Sequence, residues 1–88
     1  MRRTSWKEMI AEALEKNGES WRDIVAITLS DCDLVQTFEV GFDGPSGRPF
    51  SAWTQRRVYF PLVYDGLEWC GSAPRNPDGI PLTHQGGS

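Results

Sequence analysis

Residues 57–73 read RVYFPLVYDGLEWCGSA, in which two apolar runs flank the dipeptide Asp65-Gly66. Asp-Gly between two such runs is a strong signal of a β-hairpin, because both positions of its two-residue turn require positive φ angles. Pro61 has no amide hydrogen for a ladder bond, so its strand should lie at a sheet edge or contain a bulge there. We therefore predict a β-hairpin over residues 57–73.

Alternation along the first strand of this hairpin gives it two faces. One face would carry Val58, Phe60, Leu62 and Tyr64, and the other Tyr59, Pro61 and Val63. Both sets are apolar, so we expect both faces to be at least partly covered. A helix elsewhere in the chain is the expected cover for one of them.

At the N-terminal end, five apolar residues recur with helical spacing. They are Trp6, Met9, Ile10, Ala13 and Leu14. Such a stripe predicts an amphipathic α-helix. Ser5 and Glu8 fit a capping box at its start, and Asn17-Gly18 fits a left-handed stop at its end. We predict a helix from about residue 5 to residue 17.

The middle of the chain carries weaker signals. Residues 20–29 keep helical spacing but are rich in β-branched side chains, so we favour a strand there and leave a helix open. Ser30, followed by Asp33, predicts the start of a short second helix that ends before Gly41. The apolar face of that helix would consist of Leu34, Val35 and Phe38. Residues 41–49 contain three glycines and two prolines, which predicts an exposed loop.

Together these segments predict an α+β fold. A small antiparallel β-sheet, built around the 57–73 hairpin, packs against the N-terminal amphipathic helix and the short second helix. Residues 1–88 are expected to form a single small domain, because a chain of this length has too little apolar surface for two cores. Residues 78–88 are expected to be a flexible tail, since this end of the chain is dense in turn-forming residues.

The composition describes a small acidic protein, with 12 acidic and 9 basic residues and a formal net charge of -3. An acidic balance argues against broad nucleic-acid binding, which requires a basic face. No apolar run approaches the length of a membrane span, and the N-terminus lacks the apolar core of a secretion signal. We therefore expect a cytoplasmic protein whose cysteines are reduced thiols.

Catalytic and metal-binding motifs are absent from the sequence. Cys32, Cys70 and His84 are far apart, with no C-x-x-C or H-x-x-x-H pair, and neither cysteine has a neighbouring base in the sequence. We therefore expect no enzymatic activity, no catalytic residue, no bound metal and no cofactor. Whether these three residues converge in space stays open at this point.

One candidate for partner binding combines arginines with aromatic rings. It consists of Trp53, Arg56, Arg57 and Tyr59, with Arg75 joining if the two ends of the hairpin lie on the same side. Trp, Tyr and Arg are frequent hot-spot residues at protein interfaces and also suit stacking on single-stranded nucleic acid. The competing interpretation places Trp53 and Tyr59 in the core and leaves the arginines to balance a surplus of acids.

A second candidate surface is acidic. Glu8, Glu12, Glu15 and Glu19 fall near one side of the first helix, and Asp31 and Asp33 follow in the middle of the chain. Such charges usually cover a solvated face. They also suit a protein that occupies a basic groove meant for nucleic acid, because complementary charge speeds encounter and selects the partner. Glu8, Glu12, Asp31 and Asp33 are the acidic candidates for partner contact.

Several motifs taken together resemble a known family. They are PFSAWT at 49–54, VYFP at 58–61, YDG at 64–66 followed by EW at 68–69, and PRNP at 74–77. The pattern resembles a family of small proteins of bacteriophages, prophages and gut bacteria with no assigned activity. We expect a cysteine directly after the last proline in that family, where this chain has Asp78. The resemblance therefore adds no support for a metal site.

The resemblance implies a protein of mobile-element origin that binds and blocks a host protein. Anti-CRISPR proteins are of this kind, being small, frequently acidic and non-enzymatic. The implied partner is a CRISPR effector or another nucleic-acid-processing complex in the bacterial cytoplasm, contacted through one of the two candidate surfaces. The alternative is a nucleic-acid-binding accessory protein that uses the arginine and aromatic residues.

Overall fold

The computed structural model describes residues 2–40 and 47–84. Within these ranges the elements are, in chain order, β1 (Arg2–Ser5), α1 (Trp6–Lys16), a 3-10 turn (Trp21–Asp23), β2 (Ala26–Ile27), α2 (Asp31–Val35), β3 (Thr37–Val40), β4 (Ala52–Trp53), β5 (Arg57–Tyr64) and β6 (Leu67–Pro74). β1 and β3 form a two-stranded antiparallel sheet, and the other strands form a four-stranded antiparallel sheet in the order β2-β4-β5-β6. The predicted α+β fold is confirmed.

The predicted hairpin is present as β5 and β6. Asp65 and Gly66 form its turn with φ angles of 51° and 80°, the left-handed pair that an Asp-Gly turn requires. The ladder extends from the residues beside the turn to Arg57 opposite Pro74, so every residue of β5 has a partner in β6. The hairpin is therefore the largest continuous piece of the four-stranded sheet.

Pro61 lies in the part of β5 that extends beyond β4. β4 pairs only with Val58 and Tyr59, so within the described ranges no strand borders β5 on that side at Pro61. Alternate amides of a strand face opposite neighbours, and the register turns the Pro61 nitrogen away from β6. The missing amide hydrogen therefore removes no ladder bond, as the edge prediction required.

Helix α1 lies within the predicted range. The Ser5 hydroxyl caps it by accepting a hydrogen bond from the Glu8 amide at 3.3 Å. The Glu8 carboxylate accepts from the Thr4 hydroxyl at 2.9 Å, so the observed cap is the serine half of the predicted capping box. Gly18, with a φ angle of 70°, ends the helix in the predicted left-handed conformation.

The apolar stripe of α1 packs on one face of the four-stranded sheet, which we call the inner face. The buried cluster consists of Trp6, Met9, Ile10, Ala13, Leu14, Leu29, Phe50, Ala52, Tyr59 and Cys70. The Trp6 ring centroid lies 4.7 Å from that of Phe50 and 5.3 Å from that of Phe38 in β3. Trp6 therefore links β3 to the segment that precedes β4 through tilted aromatic contacts, which add to the stabilisation from buried area.

The middle of the chain only partly matches its prediction. Residues 20–29 form the 3-10 turn and then β2, so the favoured strand is limited to Ala26–Ile27. α2 begins with the predicted cap, in which the Ser30 hydroxyl accepts from the Asp33 amide at 3.1 Å. The Asp33 carboxylate accepts in return from the Ser30 amide at 3.3 Å, which completes a capping box.

The prediction that this second helix carries Phe38 on its face is wrong. α2 ends at Val35, and Thr37–Val40 forms β3 against β1. The ladder with β1 satisfies the backbone of both strands, and the Phe38 ring gains its contact with Trp6. Tertiary contacts of this kind override helical spacing.

Parts of the predicted loop and tail lie outside the described residues, namely 41–46 and 85–88. Residues 47–49 belong to no helix or strand, and neither do residues 78–84, which are exposed. The flexibility of the tail stays a prediction. No helix within the described ranges is long and apolar enough to cross a membrane.

Gly71 supplies a test of the packing on the hairpin. A Cβ atom at this position would overlap Cδ1 of Leu62. We expect Gly71→Ala to lower the free energy of unfolding by about 0.5–1.5 kcal/mol, the cost of moving the Leu62 side chain away from its preferred rotamer. Leu62→Ala in the same chain should recover part of that loss, because it removes the clashing atoms. Urea unfolding of both single variants and the double variant measures the coupling, and simple additivity would contradict this contact.

Candidate functional site

Three predicted arginines meet at the base of the hairpin, opposite its turn. Arg56 precedes β5, Arg57 begins it, and Arg75 follows β6. The Arg75 amide donates to the Arg56 carbonyl at 2.8 Å, and the Arg75 guanidinium donates to the Thr54 carbonyl at 2.8 Å. The two ends of the hairpin therefore do lie together, and we call Arg56, Arg57 and Arg75 the arginine cluster.

Part of the charge of the arginine cluster is used within the fold. The Arg56 guanidinium donates to the Glu19 carboxylate at 3.5 Å and to the Asn17 carbonyl at 3.3 Å. Arg57 donates from Nε to the Ser72 hydroxyl at 3.0 Å. The Arg56 side chain is nevertheless 66% exposed, so it stays available to a partner. Arg56 and Arg57 line an open cavity of about 360 Å³, which is within the size range of small-molecule pockets.

Tyr59 does not join the arginines at the surface. It is fully buried on the inner face, and its hydroxyl donates to the Glu19 carboxylate at 2.5 Å. The Asn17 amide donates to the Tyr59 hydroxyl at 3.4 Å and to the Ser72 hydroxyl at 3.2 Å. Burial, and then the bond to Glu19, raise the pKa of Tyr59 to about 12. The role of this ring is to join the end of α1 to the sheet.

Glu19 occupies a buried position that the sequence does not predict. The sequence groups it with the acidic residues near one side of the first helix, yet its side chain is only 3% exposed and bonds Tyr59 and Arg56. A buried carboxylate needs such donors to offset the loss of water. The only sequence signal is its position directly after the helix stop at Gly18, where the chain turns back towards the sheet.

Trp53 lies on the face of the four-stranded sheet opposite the inner face, and we call this the outer face. The register places ten residues on this outer face: Ala26, Trp53, Val58, Phe60, Leu62, Tyr64, Leu67, Trp69, Gly71 and Ala73. None of them is charged, and all except Gly71 are half-buried or exposed. α1 packs on the inner face, so the described helices leave this apolar surface open to solvent.

The predicted acidic residues are divided between solvent and local contacts. Glu8 and Glu12 are exposed one turn apart on α1, and Asp31 is exposed at the start of α2. Hydrogen bonds from Ser30 lower the pKa of Asp33, and the Arg48 guanidinium lies 3.4 Å from its carboxylate. Asp33 therefore acts first as a helix cap, and Glu8, Glu12 and Asp31 lie exposed at the surface.

The cysteines and the histidine lie in three different environments. Cys32 is exposed on α2, Cys70 is buried on the inner face, and His84 is exposed in the tail. Burial raises the pKa of the Cys70 thiol to about 12, which keeps it a thiol at neutral pH. In the part of the chain that the structure describes, no three Cys, His, Asp or Glu residues are grouped to hold a metal ion.

No protein-family model, curated protein or solved structure matches this chain.

The hydrogen bond between Tyr59 and Glu19 can be tested by substitution. Tyr59→Phe leaves the buried carboxylate without its closest donor, so we expect a loss of about 1–3 kcal/mol in the free energy of unfolding at neutral pH. The folded-state pKa of Tyr59 is raised from 10.0 to about 12. The bond to Glu19 therefore stabilises the wild-type fold in full below pH 10.0, and this stabilisation is lost as the pH rises towards about 12. Urea unfolding at several pH values would contradict this if the two proteins differed equally at all of them.

The two thiols should differ sharply in reactivity. Under native conditions we expect a disulfide-exchange reagent to modify one thiol per chain at neutral pH, because Cys32 is exposed and Cys70 is buried. In denaturant both thiols should react. Cys32→Ser should abolish the fast native reaction while leaving one thiol in the denatured chain, and rapid native modification of that variant would contradict the burial of Cys70.

Proposed function

We propose that this protein is a non-enzymatic binding protein whose contact surface is the outer face of the four-stranded sheet. The observation that supports the proposal is the composition of that face, which carries ten uncharged positions of which nine are half-buried or exposed. Continuous apolar surfaces of this kind mark interaction sites more often than scattered apolar residues do. Tyr64 and Leu67, both more than half exposed at the hairpin tip, extend the surface to the end of the sheet.

The dimensions of the outer face indicate the kind of protein that fits it. Two eight-residue strands are about 27 Å long, and with their short neighbours they form a face roughly 10–15 Å wide. An amphipathic helix is about 10 Å across and buries one apolar stripe. Such a helix, laid along the hairpin, would cover the half-buried rings without displacing any element of the fold.

Charge at one end of the face narrows the partner further. The arginine cluster lies at the base of the hairpin, beside the end of the outer face that carries Val58 and Ala73. A partner helix with carboxylates near one end would pair them with exposed guanidinium groups, which favours one orientation of binding. The partner that we propose is therefore a protein that presents an apolar helix with acidic residues at one end.

The resemblance to bacteriophage and prophage proteins supports a finer proposal. In it the partner is a host protein, namely a CRISPR effector or another nucleic-acid-processing complex, and binding in the bacterial cytoplasm blocks its action. The acidic balance of 12 to 9 residues suits approach to a complex with a basic nucleic-acid groove. The exposed residues Glu8, Glu12 and Asp31 would act in that approach, while the outer face supplies the contact.

Nucleic-acid binding through arginines and aromatic rings has weaker support. Stacking requires exposed rings beside the cations, whereas Tyr59 is fully buried and Trp53 lies on the opposite side of the sheet from the bond between Arg57 and Ser72. Loss of the captured partner on nuclease treatment would favour this second function.

Two adjacent residues at the hairpin tip give a matched test of the outer face. Tyr64 is 53% exposed on the outer face, and Val63 is 46% exposed on the inner face. We expect Tyr64→Glu to weaken partner capture from host lysate by about tenfold or more, the effect of losing one hot-spot side chain. Val63→Lys should leave capture within about twofold of wild type, because it places a unit charge on the other face, where Glu68 lies opposite.

The capture experiment uses the full chain with a tag, with and without nuclease, and mass spectrometry identifies the retained proteins. Circular dichroism and urea unfolding establish that both variants remain folded. Equal loss of capture by both variants would show that charge at the tip is the cause, and an unchanged Tyr64→Glu variant would overturn the outer-face proposal. Inhibition of the captured complex, measured on its own substrate, then tests the finer proposal.

A further inference from the structure

Strand β6 forms one edge of the four-stranded sheet along its whole length. In the hairpin register the amides of Trp69 and Gly71 face β5, and those of Cys70 and Ser72 face the opposite side. The Arg75 amide, which also bonds towards the β5 side at 2.8 Å, continues this alternation. Among the residues that the structure describes, no strand borders β6 on its outward side.

This edge lacks the features that usually prevent strand pairing. Natural edge strands are protected by proline, by lysine or by bulges. Pro61 has this effect on the free half of β5, but β6 contains no lysine and no proline before Pro74. Its one charged side chain, Glu68, is buried on the inner face, where an uncharged residue of another strand can lie opposite it. Within the described ranges β6 therefore keeps a mainly apolar edge that can accept another strand.

We propose that β6 pairs antiparallel with β6 of a second copy of this chain, about a two-fold axis at Cys70. In this arrangement Cys70 lies opposite Cys70 of the second copy, and the outward amides of Cys70 and Ser72 gain ladder bonds. The two four-stranded sheets become one continuous sheet. A two-fold axis makes the contact self-complementary and closed, which is the commonest symmetry of protein dimers.

One contact favours this register. Trp69 lies opposite Gly71 of the second copy, and the lack of a side chain there lets the indole reach Leu62, which packs over Gly71 in each chain. By symmetry this contact forms twice, which an unrelated strand would not supply.

A register centred two residues earlier is disfavoured by charge. It would place Glu68 opposite Glu68 of the second copy, and like charges directly opposite one another destabilise a strand pair. The favoured contact is limited to one strand of eight residues per chain and is smaller than a standard interface of about 1,600 Å². We therefore expect a reversible dimer with a Kd of about 1–100 µM.

Sedimentation velocity of the full chain from about 5 to 500 µM, which spans the expected Kd, tests the association. The weight-average mass is expected to rise towards twice the monomer mass across this range. Trp69→Ala should shift the midpoint to at least about tenfold higher concentration, because it removes the indole contact on both sides. A monomer at every concentration would overturn the inference.

The register is tested by disulfide trapping in a chain that carries Cys32→Ser and Cys70→Ala, because the register also places Cys70 opposite Cys70 of the second copy. Leu67 lies opposite Ala73 of the second copy at a position without ladder bonds, where Cα atoms are about 4.5 Å apart and a disulfide can form. Mild oxidation of a mixture of Leu67→Cys chains and Ala73→Cys chains should give a covalent dimer containing one of each. Each variant alone should remain mainly monomeric, and equal crosslinking in the separate samples would contradict this register.

The dimer does not depend on the proposed partner. The experiments distinguish failure of the dimer from failure of the outer-face proposal. Pairing along β6 uses Trp69, Gly71 and Leu62 at one edge of the outer face and leaves Tyr64 uncovered, so wild-type capture of a partner with no self-association overturns the dimer alone. Self-association with equal capture by the Tyr64→Glu variant and wild type overturns the outer-face proposal alone.

Discussion

The turn at Asp65-Gly66 fixes the register of β5 against β6, and the character of both sheet faces follows from that register. Positive φ angles at both turn residues allow a two-residue connection, so the ladder begins immediately beside the turn. A slip of one residue would exchange the faces of a strand. In the observed register Tyr59 and Cys70 face α1, and the uncharged residues of the outer face remain towards solvent.

Hydrogen bonds as well as apolar packing hold α1 against the inner face of the sheet. Glu19 accepts from Tyr59 and Arg56, and Asn17 bonds Tyr59 and Ser72, so the end of α1 is joined to the base of the hairpin. Two members of this network, Tyr59 and Arg56, are residues that the sequence assigned to partner binding. The predicted group of arginines and aromatic rings is therefore divided. The buried ring of Tyr59 belongs to the fold, whereas the exposed guanidinium groups remain at the surface.

Local signals carried the successful part of the sequence prediction. The helix start at Ser5, its stop at Gly18 and the hairpin turn depend on neighbouring residues, and each lies where predicted. β1 and β3 depend on pairing between distant segments, and Arg2–Ser5 contains no apolar residue that would signal a strand. Phe38 has helical spacing but joins β3, since its contact with Trp6 is set by the tertiary fold. The residue types alone indicated the arginines as a candidate site. Only the register of β5 against β6 shows that Arg57 lies on the opposite side of the sheet from the outer face.

The register of the hairpin can be measured directly in solution by nuclear Overhauser contacts between Hα atoms across β5 and β6. Such contacts are strong for residue pairs without ladder bonds, whose Cα atoms are about 4.5 Å apart. We predict Hα contacts between Tyr59 and Ser72 and between Pro61 and Cys70. Contacts from Phe60 to Cys70 or to Ser72 in their place would indicate a slipped register and would contradict the assignment of the outer face.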